Sequence, residues 1–384
     1  MIFCRRITLR FLLLSLSVFN GYFAAFAQEL SPRASEKPIQ IGATLALSGK
    51  LAFSGVASRR GLELGVQSLN KTGGVDGRAL ALVIDDNGGE AGRAVSGVTK
   101  LLNVDRIDIV FSSLTHISQA LKDIVRQHAK LFIYSASVGG IAAENPLAFR
   151  DWGDITEQMR TLFSAVSGAG VRKVALISEQ SDACNEGFTV VRRLLEQHGE
   201  TIVADENFNP GETDFRSLLL KVVSKKPDAF IFCAWRDAGT IMRQIKQIGL
   251  ISIPSFHALA PFLPDNDTPE VRALYAENRS QSVWSGLVPG AKPQSDAQQF
   301  VELFKVRFGE EPRMEAAFAY DDMIVLGQAL RACHGISDPS CVAARLQGTA
   351  YNGAGGRLSF DQHRCSNRES FMIKVKDGSW VRAE

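Results

Sequence analysis

The chain has 384 residues, 45% hydrophobic and 22% charged, with 43 basic side chains against 41 acidic ones. That composition excludes a disordered segment, and the balance of charge excludes a polycationic surface built for nucleic acid or an anionic membrane. The length exceeds the roughly 250–300 residues that one hydrophobic core organises, so two domains are expected.

Residues 1–27 read as a secretory leader. Arg5, Arg6 and Arg10 precede the apolar run FLLLSLSVF, and Ala25-Phe26-Ala27 fits a small-x-small cleavage pattern. Ser15, Ser17 and Asn20 interrupt the apolar stretch, which argues against a permanent membrane span. Cys4 lies ahead of the apolar core, on the wrong side for a lipid-anchored cysteine. Cleavage after Ala27 removes three arginines and no acid, taking the formal charge from +2 to −1. The mature chain is expected in the periplasm. Five cysteines then remain in an oxidising compartment: Cys184, Cys233, Cys333, Cys341 and Cys365. Cys333 and Cys341, at the ends of CHGISDPSC, are the best candidate disulfide, although spacing does not fix connectivity. The odd count leaves at least one thiol free. There is no CxxC and the six histidines are scattered, so no metal site is expected.

A first apolar strand reads IQIGATLAL (39–47), followed by the turn SGKLAFSG and a helix carrying Val56, Leu62, Leu64, Val66 and Leu69. Gly73-Gly74 stops that helix, and a second strand, ALALVI (79–84), ends in Asp85-Asp86-Asn87. A helix at about 90–103 precedes the segment IDIVFSSLTHISQALKDI (107–124), where a β-branched strand ends in a burst of hydroxyls just as a helix at 117–128 begins. Hydroxyls there serve as N-caps, or with the free N–H groups of the helix end they cradle an anion. The strand KLFIYS (130–135) completes a series of parallel βαβ units. A second series follows: strand 172–178, helix 185–198, strand 200–208, helix 213–224, strand 227–235, helix 237–248 and strand 253–259. Two helices lie within 294–334, and the tail forms a hairpin turning at Asp377-Gly378. The fold class is therefore α/β, with two doubly wound parallel-sheet lobes.

No GxSxG, GxxxxGK[ST], HExxH or GxGxxG occurs, and no nucleophile has a base near it, so the chain does not read as an enzyme and no cofactor is implied. Asp85-Asp86 reads as a turn former at a strand end. What remains is a set of polar loops at the carboxyl ends of strands: Ser48-Gly49, Ser112–Ser118, Ser135–Ser137, Gln180–Asn185, Trp235–Asp237 and His257–Pro261. Open α/β sheets bind ligands in the crevice at those ends.

The blocks IQIGATLALSGKLAFSGVASRRGLELGVQSLNKTGGVDGRALALVIDD, SSLTHISQALKDI with LFIYSAS, PGETDFRSLLLKVVSKKPDAFIF and IMRQIKQIGL together resemble the periplasmic branched-chain amino acid-binding proteins, the type I solute receptors of ABC importers. The resemblance implies two lobes joined by three crossings near Arg150–Thr156, Val283–Pro289 and Asn352–Phe360. One lobe would combine 38–152 with 288–352, the other 153–287 with 353–384. It implies a ligand carboxylate held by Thr115, with Ser113 or His116 as neighbours, and by Ala136-Ser137-Val138. Phe53 would lie over the ligand. Cys184, in Cys184-Asn185-Glu186-Gly187, stands where the family often has Tyr, and Trp235 takes the place of a further aromatic. His257 is either a strand-end residue bonded in place or a ligand contact.

The family's amino acid binders also anchor the ligand ammonium on an acid after the next strand, where this chain reads SFHALAPF. A buried ammonium without a carboxylate is costly. Either Asp154, Asp182, Glu186 or Asp237 substitutes, or the ligand has no α-ammonium. The expected partners are a small carboxylate, branched-chain amino acid-like or aromatic, and an inner-membrane ABC permease, with a monomeric protein and no nucleic acid. A sensor for a membrane signalling partner and an exported enzyme of unrecognised type are the rival readings.

Overall fold

Buried, β-branched strands dictate a sheet covered on both faces, and the computed structural model contains two such sheets. It describes residues 37–137, 140–259, 262–263, 266–288 and 295–383; the leader at 1–27 and Val138 lie outside them. The chain opens with β1 (Ile39–Leu45), α1 (Ala52–Lys71), β2 (Leu80–Asp86), α2 (Ala91–Asn103), β3 (Ile109–Ser113), α3 (Thr115–Gln127), β4 (Leu131–Ser135), α4 (Ile141–Glu144) and β5 (Ala148–Arg150). These strands form an all-parallel sheet in the order β2-β1-β3-β4-β5. The order reverses between β1 and β3, so a crevice opens there at the carboxyl ends of the strands.

The chain then runs through α5 (Ile155–Gly168), β6 (Lys173–Glu179), α6 (Asp182–His198), β7 (Thr201–Phe208), α7 (Arg216–Val223), β8 (Ala229–Cys233), α8 (Ala238–Gln247), β9 (Ser255–His257), α9 (Pro269–Asn278) and β10 (Gln281–Ser285). It ends with α10 (Ser295–Phe308), α11 (Met314–Ala332), α12 (Pro339–Gln347) and β11 to β14 (Ala350–Gly353, Gly356–Ser359, Ser370–Lys376, Ser379–Arg382). The second sheet runs β7-β6-β8-β9-β10-β13-β14, parallel as far as β10 and antiparallel beyond. Its reversal falls between β6 and β8. Asp377 and Gly378 both take positive φ (51° and 74°), the two-residue turn that matches hairpin twist.

Helices α10 and α11 return to the first sheet. Met323, Leu326 and Leu330 of α11 pack with Leu62 and Leu69 of α1 over Ile41 and Ile133. Glycine permits the close approach of these helices: a Cβ on Gly61 would lie 2.2 Å from the Ala316 carbonyl oxygen. Residues 352–360 do not form a crossing. They belong to the β11–β12 hairpin, turned at Gly356 (φ 87°), and Leu358 and Phe360 lie in the first core. The crossing follows them, where Cys365 bridges Arg150 and the chain proceeds to β13. The first and third crossings thus run side by side: Arg150 N–H donates to the Arg364 carbonyl (2.9 Å) and Ser366 N–H to the Arg150 carbonyl (2.8 Å). No helix among the described residues is long and apolar enough to cross a membrane.

Candidate ligand-binding site

The hydroxyl burst after β3 does not cap a helix. Residue Leu114 occupies the N-cap of α3 with φ 74° and ψ 133°, and among the described residues no side-chain cap bond forms there. A leucine at positive φ is strained, and such strain clusters at functional sites. The hydroxyls turn elsewhere. Ser112 Oγ and Ser118 Oγ bond each other at 2.8 Å, and Thr115 Oγ1 accepts the Ser137 N–H at 3.1 Å. Ser113 Oγ is buried, and no group among the described residues bonds it. Parallel pairing of β3 with β4, Ser113 opposite Ser135, brings these groups together. The result is a helix N-terminus with partial positive charge, ringed by Ser113, Thr115 and the backbone of Ala136-Ser137. His116 is exposed and bonds the Gly89 carbonyl through Nε2 (3.0 Å), away from that ring.

Phe53 lies half-buried in the first turn of α1, with the Arg313 guanidinium 5.1 Å over its ring. Gly55 allows this helix end to press on β1, since a Cβ there would lie 2.1 Å from the Ala46 carbonyl oxygen. Arg313 Nη2 also donates to the Phe262 carbonyl (3.0 Å), and Phe262 packs in a core of the second lobe, so the contact spans the two lobes. Asp86 is structural. Its Oδ1 accepts N–H groups of Leu47, Ser48 and Gly88 at 2.9, 3.2 and 2.9 Å. The Ser48 hydroxyl and these backbone donors hold its pKa down at about 2.

In the second lobe, Trp235 follows β8 at the reversal of strand order and is half-buried. Its N–H donates to Glu179 Oε2 (3.2 Å) at the end of β6, and its carbonyl accepts from Asn266 Nδ2 (2.9 Å). Glu179 is only 3% exposed, and burial pushes its carboxyl upward.

Two expected ligand contacts are withdrawn by their surroundings. Cys184 is fully buried and disulfide-bonded to Cys233, joining the start of α6 to the end of β8. A sulfur closed in a core bond has no face left for a ligand. His257 is 2% exposed, bonded to Ser255 Oγ (2.9 Å) and flanked by the rings of Phe232 and Tyr275. Burial lowers its pKa to about 3, so the ring is neutral. The second disulfide joins Cys333 to Cys341, with Cα atoms 6.0 Å apart, and Cys365 is free and buried.

The acids considered as substitutes are differently placed. Asp154 caps α5 through Thr156 N–H (2.6 Å) and pairs with Arg150 Nη2 (3.2 Å). Asp237 accepts the Gly211 N–H (3.4 Å) and is pushed up by burial. Asp182 and Glu186 lie exposed on the first turns of α6. Sequence reasoning missed Arg150, Glu179 and Arg313. Arg150, 2% exposed, also donates from Nη1 to the Ser137 carbonyl (3.3 Å), linking the cradle to the first crossing. Arg150 and Glu179 each sit at the carboxyl end of a buried strand, and a charge at that place is the signal that could have found them.

Comparison with known proteins bears on the fold and the family. The chain is 25% identical over 375 residues to Leu/Ile/Val-binding protein homolog 7 of Brucella melitensis, covering 89% of this chain and 90% of that one. Its fold is shared with the branched-chain amino acid transporter substrate-binding protein LivJ of Streptococcus pneumoniae, solved with isoleucine (TM-score 0.75, 24% identity, 90% of this chain and 100% of that chain). It is shared equally with an ABC transporter solute-binding protein of R. palustris solved with benzoate (TM-score 0.75, 21% identity, 90% and 95% covered). These relatives are substrate-binding proteins and not enzymes. The family model described as periplasmic binding protein matches residues 38–379, and the chain belongs to that family.

Proposed function

We propose that the chain is the exported solute receptor of an ABC importer, closing its two lobes over a small carboxylate and presenting the closed form to an inner-membrane permease. The carboxylate docks on Ser113, Thr115 and the backbone of Ala136-Ser137, with Val138 as the next residue of that loop. Phe53 and Trp235 enclose the apolar part. The observation that carries this reading is the uncapped N-terminus of α3, where Ser113 Oγ is buried without a partner among the described residues, beside Thr115 and the Ser137 N–H. An anion there accepts from the Ser113 hydroxyl and the free N–H groups of the helix end.

The ligand class follows from the second lobe. Asp154 is committed to Arg150 and its own helix, and the tail of β9 is SFHALAPF, so an α-ammonium has few partners. An aromatic or aliphatic acid without that group fits best. Glu179 favours a second reading, an α-amino acid, because its buried carboxyl lies beside Trp235. Calorimetric titration of the mature chain with benzoate, its hydroxylated relatives, leucine and isoleucine decides. Binding of the aromatic acids supports the first reading, and tight leucine binding with no response to benzoates overturns it. Ligand should shrink the radius of gyration in solution scattering; an unchanged profile at saturation overturns closure. Permease and ATPase genes beside this one would favour import over sensing.

A further inference from the structure

The chain buries more carboxyl groups than cations beneath the cradle. Asp151, Asp321, Asp322 and Arg368 are 1%, 0%, 2% and 3% exposed. Arg368 is matched to Asp321: Nη1 lies 3.3 Å from Asp321 Oδ2, whose carboxylate also accepts the N–H groups of Ala354 (2.7 Å) and Gly355 (2.8 Å). Its Nε donates to the Asp151 carbonyl, not to a carboxylate. Arg150, at the end of β5, is taken by Asp154 and the Ser137 carbonyl. The Tyr134 hydroxyl on β4 accepts from Ala142 N–H.

That leaves Asp151 and Asp322, two buried carboxyls that line the same small cavity. Asp151 Oδ1 accepts the Ser135 hydroxyl at 2.6 Å, whereas Asp322 Oδ1 is buried with no donor among the described residues. Both carboxyls, with Ser112, Ser113, Ser135 and Tyr134, line one cavity of about 10 Å³. Two carboxylates facing so small a buried space cannot both stay charged.

We propose that Asp151 and Asp322 hold a single proton between them, and that this proton site couples ambient pH to the movement of the lobes. Asp151 begins the first crossing, and its carbonyl accepts from Ser366 Oγ (2.6 Å) and Arg368 Nε (3.2 Å) of the third. Asp322 is carried by α11, packed on the first sheet. Loss of the proton sets two like charges between a crossing strand and the lobe it leaves, and the pair separates. Burial, then the charge of Asp151, holds the Asp322 carboxyl well above its ordinary range, against the pull of Arg368 and with a further push from Asp321. A folded pKa above the unfolded one stabilises at low pH, and the contribution is lost as pH rises through the folded value. The coupling rests on the lobe closure proposed above; the shared proton does not.

The test uses the mature chain without ligand, as wild type and Asp322→Asn, whose amide donates to Asp151 and carries no titrating proton. In the infrared, wild type at neutral pH should show the carbonyl stretch of a protonated carboxyl, and the variant should lack it. From about pH 4, the ordinary carboxyl value, up to the raised folded value of Asp322, the wild-type melting temperature should fall relative to the variant by roughly 2 °C per pH unit and then level off. The wild-type radius of gyration should change with pH while that of the variant holds. An absent band, or parallel melting curves, overturns the proton. A band with pH-independent scattering overturns the coupling. Asp151→Asn serves the same comparison where Asp322→Asn fails to fold. All expected results together with no response to isoleucine or benzoate would count against the ligand reading alone.

Discussion

Ser113 and Thr115 sit in one cradle, yet the structure predicts opposite effects of their removal on the free protein. Ser113 Oγ is buried without a partner among the described residues, and an unpaired buried hydroxyl costs about 1–3 kcal/mol. Ser113→Ala removes that cost at little change in volume, so the ligand-free protein should gain about 1 kcal/mol. Thr115→Val keeps the shape but removes the acceptor of the Ser137 N–H, and the free protein should lose about 1 kcal/mol. Both substitutions delete a hydrogen bond to a charged carboxylate, about 1.5–3 kcal/mol, so both should weaken binding by roughly 10- to 100-fold. Denaturant unfolding without ligand, beside calorimetry with benzoate and isoleucine, reads the two quantities separately. A destabilised Ser113→Ala protein, or one binding as tightly as wild type, refutes the assignment of that hydroxyl to the ligand.

Three further outcomes follow from the packing. His257 is a base with its folded pKa depressed from 6.5 to about 3, so it stabilises above the unfolded value and loses that contribution as pH falls. The loss amounts to about 5 kcal/mol between those limits; His257→Phe should flatten the acid limb of the stability curve, and an unchanged limb would contradict the burial argument. The disulfides close loops of 49 and 8 residues, and by loop entropy their loss costs about 4 and about 2.5 kcal/mol; paired serine substitutions followed by denaturant midpoints should rank them in that order. Gly61→Ala places a Cβ against backbone at Ala316, and the overpacking of about 1–3 kcal/mol should outweigh a helix-propensity gain of about 1 kcal/mol. An unchanged or raised midpoint would show that α1 and α11 part at little cost.

Most of the two-lobed fold was legible because parallel strands buried on both faces read as unbroken apolar runs. The chain's errors of reading lie where local chemistry imitates something else. YNGAGGRLSF looks like a glycine-rich linker, but Gly356 turns it back and Leu358 and Phe360 find the first core. No element is read between the crossing near Arg150–Thr156 and the strand at 172, though Ile155, Met159, Leu162, Phe163 and Val166 carry helical spacing and form α5. Among the candidate site residues, Thr115 and Ser137 were implied by the family resemblance, on polar loops at strand ends. Cys184 was misplaced, because its partner lies 49 residues away and spacing gives no pairing. Glu179 was missed for the same reason, its contact with Trp235 spanning 56 residues. Its buried position depends on neighbours that the local sequence does not name.

Arg150 explains why the cradle and the crossing act on one another. A buried guanidinium cannot be left half-paired cheaply, so its two ends hold what they bond in register: the Ser137 carbonyl on the first lobe and Asp154, which caps the first helix of the second. The same peptide stretch that offers Ser137 N–H to Thr115 is thereby tied to the entry of α5. On the proposed reading, Thr115 donates its hydroxyl proton to the anion while its oxygen accepts the Ser137 N–H, and any shift of that loop is felt at Asp154. Arg150→Lys keeps the charge but cannot bond both acceptors in the geometry of a planar fork. It should leave docking on the first lobe in place while loosening closure. Scattering would then show a smaller contraction at saturating ligand than in wild type, and an equal contraction would remove Arg150 from the linkage.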